Sequence, residues 1–325
     1  MQFIKNIIWI FVFSSLLIGC STAKRPVSNN WSKKDSIKVL ATIEMLKDIV
    51  QQVGGDRVEA ISLIKGNLDP HSYQLVKGDD EKLARADIIF YNGLGLEHGP
   101  SLQSYLEKNS KAKNVGSFIH KNFPDQILFF KGQLDPHIWM DMSLWSKTVP
   151  YIVESLSEID PVNAPIYQKN GEKLIESLLS THEEIRQMLQ EIDSEKRYLV
   201  TSHDAFNYFA RVYLATDDER KTSTWQNRFI APEGLAPESQ ISLLDIKFVI
   251  SHLKKFNISV IFPESNVSKD SLRKIMQASQ EMGLKIKIAN DTLYADAMGD
   301  PGSDGDTYQK MLIHNASVIR NNLKN

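Results

Sequence analysis

The sequence predicts an α/β protein of two lobes, each a parallel sheet flanked by helices, joined by one long backbone helix. Three observations carry that expectation. Short β-branched runs alternate with helically spaced segments from Ile37 onward, the pattern of strands crossed over by helices. One periodic stretch, Pro161–Ile192, is far longer than any other. The triplet Asp-Pro-His occurs twice, at Asp69–His71 and Asp135–His137, each time with an aromatic residue two positions beyond the histidine.

The first residues stand apart from this scheme. Lys5 precedes the apolar run Ile7–Ile18, which is too short for a comfortable membrane span and has the layout of an export signal. Residues 1–19 are therefore expected to be a signal peptide. Cys20 is the only cysteine among 325 residues, so the chain can form no internal disulfide. Leu17-Ile18-Gly19-Cys20 resembles a bacterial lipobox, where cleavage leaves an N-terminal cysteine that carries lipid. The Ser- and Lys-containing stretch that follows has little to bury, so 20–35 reads as lipidated cysteine and flexible tether.

Residues 36–158 are the expected N-terminal lobe. Ile37–Thr42 is its first strand, and Ile43–Val53 a helix stopped by Gly54-Gly55. Val58–Ile64 and Asp87–Tyr91 follow as strands, with Asp79–Arg85 as a helix between them. Asn92–Glu97 turns into a helix over Ser101–Glu107, Asn114–Phe118 is a fourth strand, and Ser143–Leu156 is helical again.

Residues 159–193 form the link. Asp160 can cap, Pro161 suits a first turn, and Tyr167, Leu174, Leu178, Ile185, Met188, Leu189 and Ile192 recur at three- and four-residue steps. As one helix, Pro161–Ile192 runs about 48 Å and acts as a strut between lobes.

Residues 194–325 repeat the architecture. Strands are expected at Tyr198–Thr201, Ser259–Phe262 and Lys285–Ala289, with helices over Ala205–Tyr213, Ile241–Phe256, Ser268–Met282 and from Tyr308. Asp217–Pro237 carries too weak a periodicity to place. Asn290–Thr307 is rich in Gly and Asp, a composition that orders poorly alone.

The chemistry lies in the histidines. Proline fixes its own φ and drives the preceding Asp into an extended conformation, so His71 and His137 are delivered from stiff turns. His203 follows the apolar run Tyr198–Val200 directly, and Asp296 follows the last strand, with Asp291 and Asp300 as alternatives for the same carboxylate. Ligands of open parallel sheets bind beyond the strands' carboxyl ends, where two residues from each lobe would meet. Three imidazoles and a carboxylate suit Zn²⁺ or Mn²⁺ and suit Ca²⁺ poorly. His98, His120, His182, His252 and His314 lack such a setting, and His182 reads as a helix-surface residue. A formal charge of −2, or −3 once Lys5 is removed with the signal, offers no basic surplus for nucleic acid.

Gly54–Val58, Asp69–Tyr73, Asn92–Glu97, Asp135–Asp141 and Ala295–Met298 together resemble the cluster A-I (cluster 9) metal-binding lipoproteins of ABC importers, nearest the TroA/YtgA-type branch. The resemblance spans the chain from Ile37 onward. It implies a helical-backbone solute-binding protein, a monomer with no catalytic residues, that holds a divalent metal by His71, His137, His203 and Asp296 as transported ligand. Zn²⁺ or Mn²⁺ is expected, with iron possible. It implies an ABC permease and ATPase as partners, attachment to the membrane through lipid, and a site in the periplasm or on the outer face of the cytoplasmic membrane. Many manganese-leaning members have Glu where His203 stands. Many zinc-specific members carry a long His-rich loop, whereas residues 72–136 contain only His98 and His120.

Four further residues are candidates for shaping such a site. Asp69 and Asp135 favour their own turns, Glu264 can orient His203 or Asp296 or pair with a lysine, and Trp139 can wall the cleft or pack in the core. Two other readings compete. A secreted zinc metallohydrolase would leave one metal position for water and need a general base, yet Asp296 would fill that position and no His-Glu-x-x-His helix occurs. A surface adhesin is the second.

Overall fold

The structure, a computed structural model, describes residues 31–33, 35–130, 132–237 and 241–324. The expected signal peptide, Cys20 and most of the tether lie outside the described residues. No described helix is long and apolar enough to cross a membrane.

The first lobe opens with β1 (Ile37–Ala41), α1 (Glu44–Gly54), β2 (Val58–Ser62), α2 (Asp79–Arg85), β3 (Ile88–Tyr91), α3 (Pro100–Lys108), β4 (Ala112–Asn114) and α4 (Val115–Asn122). The four strands form one parallel sheet in the order β2-β1-β3-β4. Ala41 pairs with both Ser62 and Phe90, so the loops after β1, β2 and β3 leave the sheet along one edge. That edge faces the cleft.

Two expectations for this lobe need correction. Asn114–Phe118 is not a strand. Asn114 ends β4 and caps α4, its Oδ1 accepting the Ser117 N–H at 2.8 Å, and Val115 and Ile119 then share a buried face at helical spacing. Order also begins before the end of the expected tether. Trp31 is 3% exposed, its indole N–H donating to the Glu59 carbonyl, while the Glu59 carboxylate accepts N–H groups from Ser32 and Lys33.

An antiparallel pair absent from the expectations, β5 (Phe129–Phe130) and β6 (Gln133–Leu134), leads into the second Asp-Pro-His turn. After it come α5 (Met142–Trp145) and α6 (Val149–Ile159), and then the linking helix α7 (Ala164–Gln190). Its 27 residues span about 40 Å. Tyr167, Leu174, Leu178, Ile185 and Leu189 face inward along one stripe. The helix packs on α1 and α6 of the first lobe, and Asn170 donates to the Val53 carbonyl at 3.0 Å. Gly171, a weak residue for a helix interior, has a packing reason. A Cβ there would fall 2.6 Å from Val153 Cγ2.

The second lobe comprises β7 (Leu199–Val200), α8 (Asn207–Phe209), α9 (Asp217–Thr222), β8 (Phe229–Ile230), α10 (Leu243–Lys255), β9 (Val260–Ile261), α11 (Asp270–Glu281), β10 (Lys287–Ile288) and α12 (Tyr308–Leu323). β7 pairs with β8 and β9 with β10, all parallel, and the Phe262 N–H donates to the Val200 carbonyl to join the two pairs. A π-helical turn at Ala210–Leu214 continues α8 and, with α12, packs against the far end of α7. The unplaced segment 217–237 thus holds α9, a 3₁₀ turn and a strand. His182 is not a free surface residue. It is half-buried on α7, with Nδ1 2.9 Å from the Tyr213 hydroxyl.

Candidate metal centre

Each of the four side chains in question is positioned by its own local device. His71 follows β2 through a loop, and the Asp69 carboxylate accepts its backbone N–H at 2.9 Å and the Ser72 hydroxyl at 2.6 Å. Asp69 therefore builds the turn, as expected. Asp135 does more than that. Its Oδ1 accepts the His137 N–H at 3.0 Å and also meets His137 Nδ1 at 2.7 Å, so the expectation of a turn role alone is too narrow.

The second turn is also tied across the cleft. From the second lobe, Asn207 donates to Asp135 Oδ2 at 3.0 Å, and the Tyr208 hydroxyl donates to the Asp135 carbonyl at 3.1 Å. From the first, the Asn92 amide donates to the Pro136 carbonyl. Sequence reading gave no hint of Asn207 or Tyr208, because neither carries a motif and both act over more than seventy residues of separation.

His203 stands just past β7. Glu264, past β9, accepts the backbone N–H groups of Ser202 and His203 on Oε1 and brings Oε2 to 2.5 Å from His203 Nδ1. Both carboxylate oxygens of Glu264 are thus engaged around one histidine. With Nδ1 of His137 and of His203 each facing a carboxylate, Nε2 is left as the donor nitrogen of both rings.

Asp296 arrives by way of the Glu264–Leu293 bridge beside the sheet. Asn315 on α12 clamps Tyr294 through both its N–H and its carbonyl. Trp139 donates its indole N–H to the Ala295 carbonyl at 3.0 Å, and the Tyr308 hydroxyl holds the Trp139 carbonyl at 2.6 Å. Trp139 is fully buried and its ring stands edge-on to His137 at 5.3 Å. Asn266, also unforeseen, donates to Asp296 Oδ2 at 3.3 Å.

These devices bring His71, His137, His203 and Asp296 together, with one potential ligand atom from each within 4.8 Å of all the others. Asp296 Oδ2 is 3.1 Å from His203 Nε2 and 3.8 Å from His71 Nε2, and Oδ1 is 3.4 Å from His137 Nε2. A tetrahedral ion with bonds of about 2.0–2.1 Å has ligand edges of about 3.4 Å, within that spread. All four side chains are buried. Yet Nε2 of each histidine and Oδ1 of Asp296 have no hydrogen-bond partner among the described residues. Four converging, buried, unsatisfied donors cost free energy that a cation would return.

The electrostatics are uneven. Burial holds the His71 imidazole well below its usual pKa. Burial opposes charge on His203 too, but Glu264 and Asp296 outweigh it and raise that imidazole well above the ordinary value. Burial would raise Asp296, yet His203, His137 and His71 hold its carboxyl well below the usual carboxylate range.

Comparison with known proteins gives the family. Residues 39–322 match the family described as zinc-uptake complex component A, periplasmic. The chain is 38% identical to the metal-binding protein YtgA of Chlamydia trachomatis over 309 residues, covering 95% of this chain and 91% of that one. A crystal structure of Fe(III)-bound YtgA superposes with a TM-score of 0.83, covering 89% of this chain and 98% of that one. The manganese-binding lipoprotein MntA of Bacillus subtilis is 30% identical over 311 residues, 95% of each chain. The periplasmic zinc-binding protein TroA of Treponema pallidum, 29% identical, superposes with a TM-score of 0.80 over 89% of this chain and 100% of that one. The chain belongs to the periplasmic zinc-uptake component A family, the TroA-like group of metal-binding proteins.

Proposed function

We propose that this chain is the extracytoplasmic binding component of an ABC importer for a transition metal. It captures one cation between its lobes through His71, His137, His203 and Asp296 and hands it to a permease and its ATPase. The observation that carries the reading is the set of four buried donor atoms, two from each lobe, aimed at one point without hydrogen-bond partners of their own. The relatives' names supply the cargo class: manganese for MntA, zinc for TroA, iron(III) for one form of YtgA.

The donor set accommodates this range. Asp296 turns one oxygen toward His137 and the other toward His203 and His71, so it can bind through one oxygen or both. One oxygen gives four donors, a number suited to zinc; two give five, closer to what manganese and iron accept. The protein acts as a carrier and not as a catalyst. A hydrolytic site needs an open metal position and a base, whereas Asp296 supplies the fourth donor and Glu264 is engaged around His203.

Export and a lipid at Cys20 complete the proposal, supported by the apolar run before Leu17-Ile18-Gly19-Cys20. Elemental analysis of protein purified without added metal, joined to competition titrations with Zn²⁺ and Mn²⁺, tests the central claim. One cation per chain, lost in His137→Ala, is expected; stoichiometric hydrolysis-competent zinc with exchangeable water would favour the enzyme instead. Cys20→Ser should release metal-competent protein from the membrane fraction.

A further inference from the structure

One histidine outside the four occupies a place that the proposed function does not use. His98 is exposed at the end of the Asn92–Glu97 turn, with its ring 5.8 Å from that of His71. The turn is rigid. The buried Glu97 carboxylate accepts the N–H groups of Asn92 and Gly93 and the Thr42 hydroxyl, and Gly93 and Gly95 both adopt positive φ. His98 Nδ1 lies 3.2 Å from the Gly95 carbonyl.

His71 and His98 line the same cavity, of about 640 Å³. Its walls come from both lobes: Gln133, Leu134 and Pro136 from the first, Leu235 and Ala236 from the second. Of the four candidate ligands, only His71 reaches this cavity. His71 is also the one whose ring stands nearest an exposed imidazole.

We propose that this cavity is the cation's way in and out, and that His98 is a transient ligand on that route. The inference rests on the metal-carrier reading and adds the order of events to it. A hydrated divalent cation would exchange one water for His98 at the mouth, pass to His71, and only then complete its shell with His137, His203 and Asp296. Imidazole is a suitable intermediate donor because it can replace one water on a first-row divalent cation. A ligand that serves the route and not the final shell lowers the barrier in both directions equally. It changes rates and leaves affinity alone.

The test is stopped-flow measurement of Zn²⁺ association, and of dissociation into excess chelator, on the full mature chain. His98→Ala removes the imidazole. His98→Asn keeps an amide N–H for the Gly95 carbonyl but offers no comparable ligand nitrogen, and His98→Asp restores a donor. Association and dissociation should each slow by about fivefold in His98→Ala and His98→Asn, with Kd nearly unchanged, and recover in His98→Asp. Wild-type rates in His98→Asn beside slow rates in His98→Ala would reduce His98 to a brace for its turn and overturn the route. Unchanged rates in all variants, or a weakened Kd at unchanged association rate, would overturn it too. Wild-type protein that took up no cation would overturn the carrier reading, and the route with it.

Discussion

The indole N–H of Trp139 in the first lobe and the carbonyl of Ala295 in the second are hydrogen-bonded at 3.0 Å, one residue from Asp296 on one side and two from His137 on the other. Both partners are fully buried. The segment that carries a candidate ligand in each lobe is thereby fastened to the other lobe, Trp139 by its side chain and Ala295 by its backbone. Trp139→Phe keeps most of the ring but leaves the Ala295 carbonyl unpaired, a cost of about 1–3 kcal/mol. The melting temperature should fall in metal-free protein. The added stabilisation by metal should shrink as well, since Asp296 is then less firmly placed. An unchanged increment on adding Zn²⁺ would show that Asp296 is held by other means.

The two aspartates of the paired turns should behave differently. Asp135→Asn removes the charge beside His137 Nδ1 while keeping a turn-forming side chain, and metal affinity should fall about 10–100-fold. Asp69→Asn touches only the turn and the Ser72 hydroxyl, so its effect on affinity should stay within about threefold. Equal losses in the two variants, by competition titration, would make the turns rather than the Nδ1 contact the source of both.

Affinity should fall as pH falls, and earlier than for an ordinary histidine site. His203 is raised above its usual value, so metal-free protein carries a proton there that the cation must expel. Acid adds protons to the metal-free form alone, and each protonated ligand costs about tenfold per pH unit. The loss should therefore start above about pH 6.5, while Asp296, held well below the usual range, stays ionised and adds no slope. Titrations between about pH 8 and about pH 5 check this, and a flat profile would remove histidine from the site.

Zinc should bind more tightly than manganese at equilibrium, whichever the importer delivers, because nitrogen-rich sites follow the Irving–Williams order unless geometry intervenes. Competition titrations decide it. The reverse order would mean that Asp296 uses both oxygens and that the lobes hold the site open to five donors.

The sequence exposed those parts of the site whose cause is local. Proline stiffens Asp69–His71 and Asp135–His137 from within, and His203 sits where a strand must end, so three histidines were readable without a structure. The periodic stripe of α7 was equally plain. What escaped depends on distant partners: Asn207 and Tyr208 reach Asp135 from 72 and 73 residues away, and Asn266 reaches Asp296 from 30. Asn114–Phe118 misled because Val115 and Phe118 favour strands, and it is the Asn114 cap that turns the segment into a helix. In 217–237 a usable signal was present, since Thr216 and Glu219 form a capping box. The Gly-rich stretch after Asp296 suggested softness, yet a Cβ at Gly305 would fall 2.3 Å from Tyr294, so that glycine makes room for a ring.

The unbroken α7 has a consequence for unloading. A vessel hinged in the middle can be emptied by bending it, but this one has a continuous spine gripped at both ends. Residues near its start meet α1 and α6, and near its end Gln190 ties to the Tyr213 carbonyl at 2.9 Å. Opening must therefore be done at the rim, by displacing one of the four loops that carry His71, His137, His203 and Asp296 while the frame stays put. Thermal motion of the frame offers little help, so the isolated protein should surrender its cargo slowly. Prompt release then falls to whatever presses on those loops from outside.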